Sequence, residues 1–201
     1  MMDRRIRRTR RALKEALLGL ILEEGFTAVT VEEITDRADV GRTTFYLHYR
    51  DKEELLLESI SELAEGLVEE ISQVPMVDPV SGQPAVSRAV EVTFRHASEN
   101  PDLYRVILQS GVRHGAGRLR EIMNAAVHQI IEGVARNEQR SLKPQVPMPV
   151  LSNYLVGSWI GVMTWWLEDD MPYSPAEMAG MFEKVIMLGG AKLMGGEQAL
   201  P

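Results

Sequence analysis

An all-α fold of about nine helices is what this chain predicts, on three observations. Apolar residues recur at helical spacing along most of its 201 residues, and no convincing alternating strand interrupts them. Helix-start signatures stand at Thr30-Val31-Glu32-Glu33, Asp51-Lys52-Glu53-Glu54 and Ser174-Pro175-Ala176-Glu177, where side chains satisfy orphan amides. Glycine and proline fall where those helices should stop or begin.

Each element has its own warrant. Leu13, Leu17, Leu20 and Ile21 form the stripe of a first helix, which Gly25 stops in a left-handed conformation. Thr30 opens a short helix running through Ile34 to Ala38. The turn Asp39-Val40-Gly41 leads into a second short helix over 42–48. Asp51 then opens a long helix with Leu56, Ile60, Leu63, Leu67 and Ile71 on one face.

Three prolines and a glycine make 75–84 a loop. Helical spacing resumes near Ala85 and stops at Asn100-Pro101, where proline takes the first position of a short helix to Gln109. A further pattern covers Arg118 to Arg140, before Pro144, Pro147 and Pro149 break the chain. Val150 to Leu167 is almost continuously apolar, and Ser174 caps a last helix through Phe182, Val185 and Ile186. Residues 195–201 should fray.

A composition of 45% apolar and 25% charged residues is that of a soluble globular protein. With no cysteine, disulfides, thiolate metal sites and cysteine nucleophiles are excluded, which fits a cytoplasmic location. The Arg-rich start is not read as a signal peptide, because Lys14 and Glu15 interrupt the apolar run and Glu23-Glu24 ends it. Val150 to Leu167 is about long enough to span a bilayer. It carries Ser152, Asn153, Ser158 and Thr164, and Glu168-Asp169-Asp170 follow, so a buried helix is expected and no membrane partner.

Charge is unevenly distributed. The chain carries a net −7, yet residues 1–52 hold eleven Lys/Arg against nine Asp/Glu and so come to +2. The first fourteen residues hold seven basic side chains and one acid. A cationic end on an anionic body suits a partner with phosphates.

The helix pair 31–38 and 42–48 has helix-turn-helix proportions, with Ile34, Ala38, Val40 and Phe45 spaced to pack the two together. The outer face of the second helix is then Arg42, Thr43, Thr44, Tyr46 and His48. Arg42 can present two donors to a guanine edge, the threonines can bond phosphate or touch a thymine methyl, and Tyr46 can bond phosphate. Lys52 and Thr30 are placed to grip the backbone. Tyr46 also fits as a packed aromatic, His48 as a helix-end residue and Arg42 as a surface arginine; Tyr49 reads as a core plug.

These residues carry a resemblance. Gly25-Phe26-Thr27-Ala28-Val29-Thr30-Val31, Ile34, Ala38, Val40, Gly41, Thr44-Phe45-Tyr46, His48-Tyr49 and Lys52-Glu53-Glu54-Leu55 resemble the DNA-binding domain of the TetR family of transcriptional regulators, from about Arg8 to Leu56. The resemblance implies operator contacts at Arg42, Thr43, Thr44, Tyr46, His48 and Lys52, with Thr30 on a phosphate. Two residues depart from the pattern. Asp39 stands where the family usually has glycine, a turn position that Asp tolerates. Gly41 stands where a serine often caps the reading helix.

The resemblance further implies a helix-turn-helix DNA-binding domain at 1–50 and a helical effector-binding and dimerisation domain at 51–195. The homodimer would form through the last two long helices, and two heads would bind a palindromic operator. The residues agree: Val150 to Leu167 is apolar on nearly every face, and Gly157 and Gly161 permit close helix approach. Trp165 to Pro175 also resembles the family's carboxy-terminal part. Effector candidates are Phe94, Tyr104, Met123, His128, Trp159 and Met163, bulky or singly polar groups that serve equally as core. His96, His114 and His128 show no metal spacing, and no cofactor is expected.

The resulting expectation is a dimeric repressor released by a small molecule, with an activator of the same family as the alternative. An all-helical enzyme using Ser110 and His114 finds no nucleophile–base spacing to support it.

Overall fold

A computed structural model describes residues 4–75, 86–109, 115–137 and 146–190. Among these residues the chain is helical without strands. The helices are α1 (Arg4–Glu24), α2 (Val31–Arg37), α3 (Arg42–Tyr46), α4 (Lys52–Ser72), α5 (Val86–Glu99), α6 (Pro101–Gln109), α7 (Gly115–Asn137), α8 (Met148–Glu168) and α9 (Pro175–Gly190). Ser110, His114, Pro144, most of the 75–84 loop and residues 195–201 lie outside the described residues.

The punctuation foreseen in the sequence does its work locally. Gly25 adopts φ 83°, and its N–H closes on the Ile21 carbonyl at 2.9 Å, ending α1. Thr30 and Glu33 form a full capping box: the Glu33 amide donates to the Thr30 hydroxyl at 3.3 Å, and the Thr30 amide donates to the Glu33 carboxylate at 2.8 Å. Ser174 and Glu177 repeat it at 3.3 and 2.8 Å before α9. The Asp51 signature closes differently. The Glu54 amide donates to Asp51 at 2.8 Å, but the Glu54 carboxylate takes the Arg50 amide instead, at 2.6 Å, because the Arg50 guanidinium also reaches it.

The chain divides into two compact units, Met1–Glu65 with Asn100–Arg118, and Gly66–Glu99 with Leu119–Pro201. In the first, α1 packs on α2 and α6, and α2 on α3. Its core is Leu13, Leu17, Leu20, Ile21, Ile34, Phe45, Tyr49, Leu55 and Leu56, with Leu103, Tyr104 and Val106 from α6. Tyr49 is the core plug expected of it, and Arg10 donates to its hydroxyl at 3.0 Å while pairing with Glu58.

In the second unit α5 lies along α9. Phe94 sits edge-on to Trp166 at 5.3 Å between ring centres and to Phe182 at 6.4 Å. The Trp159 indole donates to Thr93 at 2.8 Å, and that of Trp166 to the Tyr173 carbonyl at 2.9 Å. Both buried aromatic N–H groups are thereby satisfied. No helix among the described residues is long and apolar enough to cross a membrane.

Candidate nucleic-acid interface

The reading element is built from a turn and one and a half helical turns. Asp39 takes the left-handed conformation at φ 51°, its amide bonding Asp36 and that of Val40 bonding Thr35. Gly41 then starts α3 in extended geometry, with no side chain to cap it. A Cβ there would meet nothing nearer than the Thr44 hydroxyl at 4.0 Å, so the position has room for a serine.

α3 is shorter than the expected 42–48, but the backbone still turns beyond it: the Leu47 amide bonds Thr43 and that of Tyr49 bonds Phe45. Phe45 is wholly buried and anchors the element from beneath. Arg42, Thr43 and Tyr46 are exposed, whereas Thr44 and His48 are half-buried. Of the sequence-predicted set, Arg42, Thr43 and Tyr46 are thus outward and Thr44 and His48 only partly so.

Two neighbours change how that face must be understood. Arg42 is ion-paired with Glu32 of α2, so the guanidinium is already held by a carboxylate from the preceding helix. Both side chains are more than half exposed, and a pair in that setting is weak enough to exchange partners. Leu47, absent from the predicted set, is the most exposed large apolar side chain among the described residues, at 77%. The signal was its spacing, four residues after Thr43 and two after the buried Phe45.

Lys52 is the larger surprise. Its ammonium donates to the carbonyls of Phe26, Thr27 and Val29 at 2.8, 3.3 and 2.6 Å. That uses all three of its protons. It also lies 4.7 Å from the centre of the Phe26 ring. Lys52 thus ties the α1–α2 turn to the start of α4. Thr30, the other backbone-gripping candidate, spends its hydroxyl on Glu33, whose carboxyl those Thr30 bonds hold below the usual carboxylate range. Arg37 fastens α2 to α1 through two bonds to Glu23, at 2.8 and 2.6 Å.

The effector candidates fall in both units. Tyr104 is buried in the first, while Phe94, Met123, Trp159 and Met163 are buried in the second and His128 is half-buried there. None of the six lines the cleft of about 340 Å³ formed by the end of α4 and α5, whose walls include Glu70, Arg88, Glu91 and Arg95.

Comparison with known proteins agrees with this geometry. Residues 14–59 match the family described as bacterial regulatory proteins, tetR family, and residues 86–188 match its transcriptional regulator C-terminal region. The uncharacterized HTH-type transcriptional regulator YxbF of Bacillus subtilis is 24% identical over 181 residues, which is 90% of this chain and 45% of that protein. The HTH-type transcriptional regulator TcmR of Streptomyces glaucescens is 34% identical over 89 residues, 44% of this chain and 39% of TcmR. The chain thus spans less than half the length of either relative.

Among solved structures, a putative TetR-family regulator from Syntrophomonas wolfei superposes with a TM-score of 0.74 at 16% identity, covering 92% of this chain and 97% of that one. FadR from Bacillus subtilis, solved in complex with stearoyl-CoA, gives 0.69 at 15% identity over 94% and 99%. These likenesses show the fold. With the family's carboxy-terminal region matched over half of the chain and its amino-terminal region matched across the helix-turn-helix, the chain belongs to the TetR family of transcriptional regulators.

Proposed function

We propose that the protein is a homodimeric repressor that binds a palindromic operator and is released by a small-molecule effector. The observation that carries this is the exposed front of α3, with Arg42, Thr43 and Tyr46 outward over a fully buried Phe45. Arg42 leaves Glu32 to give two donors to a guanine, and Thr43, Thr44, Tyr46 and His48 bond phosphates or base edges. Thr30 supports the phosphate contacts. Lys52 acts through its charge and through the turn it ties. Residues 1–50 form the reading domain, and 51–195 serve effector binding and pairing.

The second copy has a surface to meet. Val150, Tyr154 and Trp165 of α8 and Val185 of α9 expose apolar side chains at 57, 55, 45 and 64%. On α8 they share spacing with Gly157 and Gly161, at both of which a Cβ would have nothing within 4 Å. A face this apolar, with small residues at its middle, suits close packing against its own copy. Gly157→Leu is expected to leave the subunit folded and raise the dimer dissociation constant at least about tenfold. Sedimentation of the variant reads this, and an unchanged constant excludes α8 from the interface.

Phe94, Tyr104, Met123, His128, Trp159 and Met163 remain our candidates for effector contact. Five of them are buried, so a ligand enters by repacking the side chains around them, and differential affinity for two packings is what releases the operator. The stearoyl-CoA complex of the FadR relative supports a small molecule as effector, without naming this one.

The test is selection of genomic fragments by the purified protein, followed by gel shift on the enriched sequence. An inverted repeat with half-sites about one helical turn apart or somewhat more is expected. Failure to retain any duplex at low salt would end the proposal.

A further inference from the structure

Leu47 has no structural task that explains it. A leucine side chain is normally buried for roughly 2 kcal/mol, yet this one is 77% exposed. Nor is it on a loose segment. Its backbone is helical at φ −73° and ψ −19°, and its amide donates to the Thr43 carbonyl at 3.1 Å. At about 100° per residue, both Thr43 and Leu47 point about 160° away from the buried Phe45 and about 40° from each other. Leu47 therefore stands at the summit of the reading element on the same side as exposed Thr43, with Arg42 and Tyr46 also exposed on the element.

We propose that Leu47 reads thymine, its isobutyl group packing on the C5-methyl of a base that the Arg42 contact brings into register. In the major groove that methyl is the apolar group the bases offer, and it occurs on thymine alone. An apolar summit beside an arginine, on a unit whose first helix exposes Arg4, Arg7 and Arg8, fits a duplex better than a protein partner. Arg42 reads by hydrogen bonds and Leu47 by shape, so the two cover adjacent positions of one half-site. Thr43, four residues earlier, lies on the same side of the helix as Leu47. This inference rests on the proposed operator binding and adds a base preference to it.

The experiment uses the full chain and the operator recovered by selection. Each thymine in a half-site is replaced in turn by deoxyuridine, which removes only the methyl, and affinity is measured for the native protein and Leu47→Ala. The native protein should lose about three- to fivefold at one thymine per half-site, the worth of one buried methyl. Leu47→Ala should lose a similar factor or more on the unmodified operator and become indifferent to the methyl at that same thymine. Because the side chain is exposed, the variant should unfold at the native midpoint, which separates reading from folding. If both proteins respond alike at every thymine, or if Leu47→Ala binds the operator as tightly as the native chain, Leu47 does not read the methyl. If selection enriches no sequence at all, it is operator binding itself that fails, an outcome visible before any thymine is replaced.

Discussion

Both units of this protein have an apolar core, and they differ in the ties added to it. In the first, the elements around α3 are tied by polar bonds to backbone and charged groups: Lys52 to three carbonyls, Thr30 to Glu33, Arg37 to Glu23, Arg10 to Tyr49. In the second, aromatic packing dominates, with Phe94, Trp166 and Phe182 in one cluster and Trp159 pinned by a single bond to Thr93. Hydrogen bonds are directional and hold a surface in one geometry, as a reading surface requires. Apolar packing is non-directional and can rearrange if volume is conserved, as a ligand-responsive body requires. On the proposed function, that difference would suit a reading surface held in place and a body that repacks around a ligand.

The sharpest challenge to this contrast is in the second unit. Trp166→Ala should lower stability by about 3–5 kcal/mol, through lost burial and the cavity left against Phe94. Urea unfolding followed by circular dichroism measures it, and a loss under about 1 kcal/mol would mean the aromatic cluster is not what holds the body. The corresponding cut in the first unit is Lys52→Met. It leaves the Phe26, Thr27 and Val29 carbonyls without their donor, at about 1–3 kcal/mol. It should also weaken every duplex alike, because what is lost is turn geometry and charge, not a base contact. A sequence-dependent loss would reassign Lys52 to base reading.

Arg42→Ala should cost a comparable 1–3 kcal/mol or so in binding, but at one base position only. Competition between operator variants checks this, and an equal loss on all of them refutes the base-reading role. Glu32→Gln refines it: freeing the guanidinium from a pair it must leave should raise affinity for the operator at least as much as for non-specific duplex.

The smallest effect concerns His96, buried in α5, where burial holds its imidazole below the ordinary range even though the Glu70 and Glu99 carboxylates pull the other way. The unfolded chain takes up a proton near its ordinary value of about 6.5, while the folded one resists. The histidine's contribution is therefore complete above about pH 6.5 and lost as pH falls below it. Comparing urea midpoints of the native protein and His96→Gln at about pH 7.5 and 5.5 should show a steeper acid loss in the native protein.

The legibility of the sequence followed the same division. Gly25, Thr30, Asp39 and Ser174 announced their turns and caps because the physics is confined to three or four neighbouring residues. On α3 the same locality fixed the buried Phe45 and the outward Arg42, Thr43 and Tyr46, while Leu47, the most exposed large apolar side chain among the described residues, lies outside the predicted set. For Lys52 charge and position suggested a phosphate grip, and the fold adds what spacing could not show: its ammonium donates to carbonyls more than twenty residues earlier in the chain.

By itself, then, the amino-acid order determined the helices and most of their caps, and on α3 the outward Arg42, Thr43 and Tyr46 but not Leu47, all consequences of local spacing and side-chain chemistry. Tertiary structure alone decided which of those outward groups already have partners, as Arg42 has in Glu32. It also decided that Tyr104 joins the first unit while Phe94 and Trp159 lock together the second. Such contacts join residues far apart in sequence, and apolar periodicity shows that a side chain is buried without showing what it is buried against.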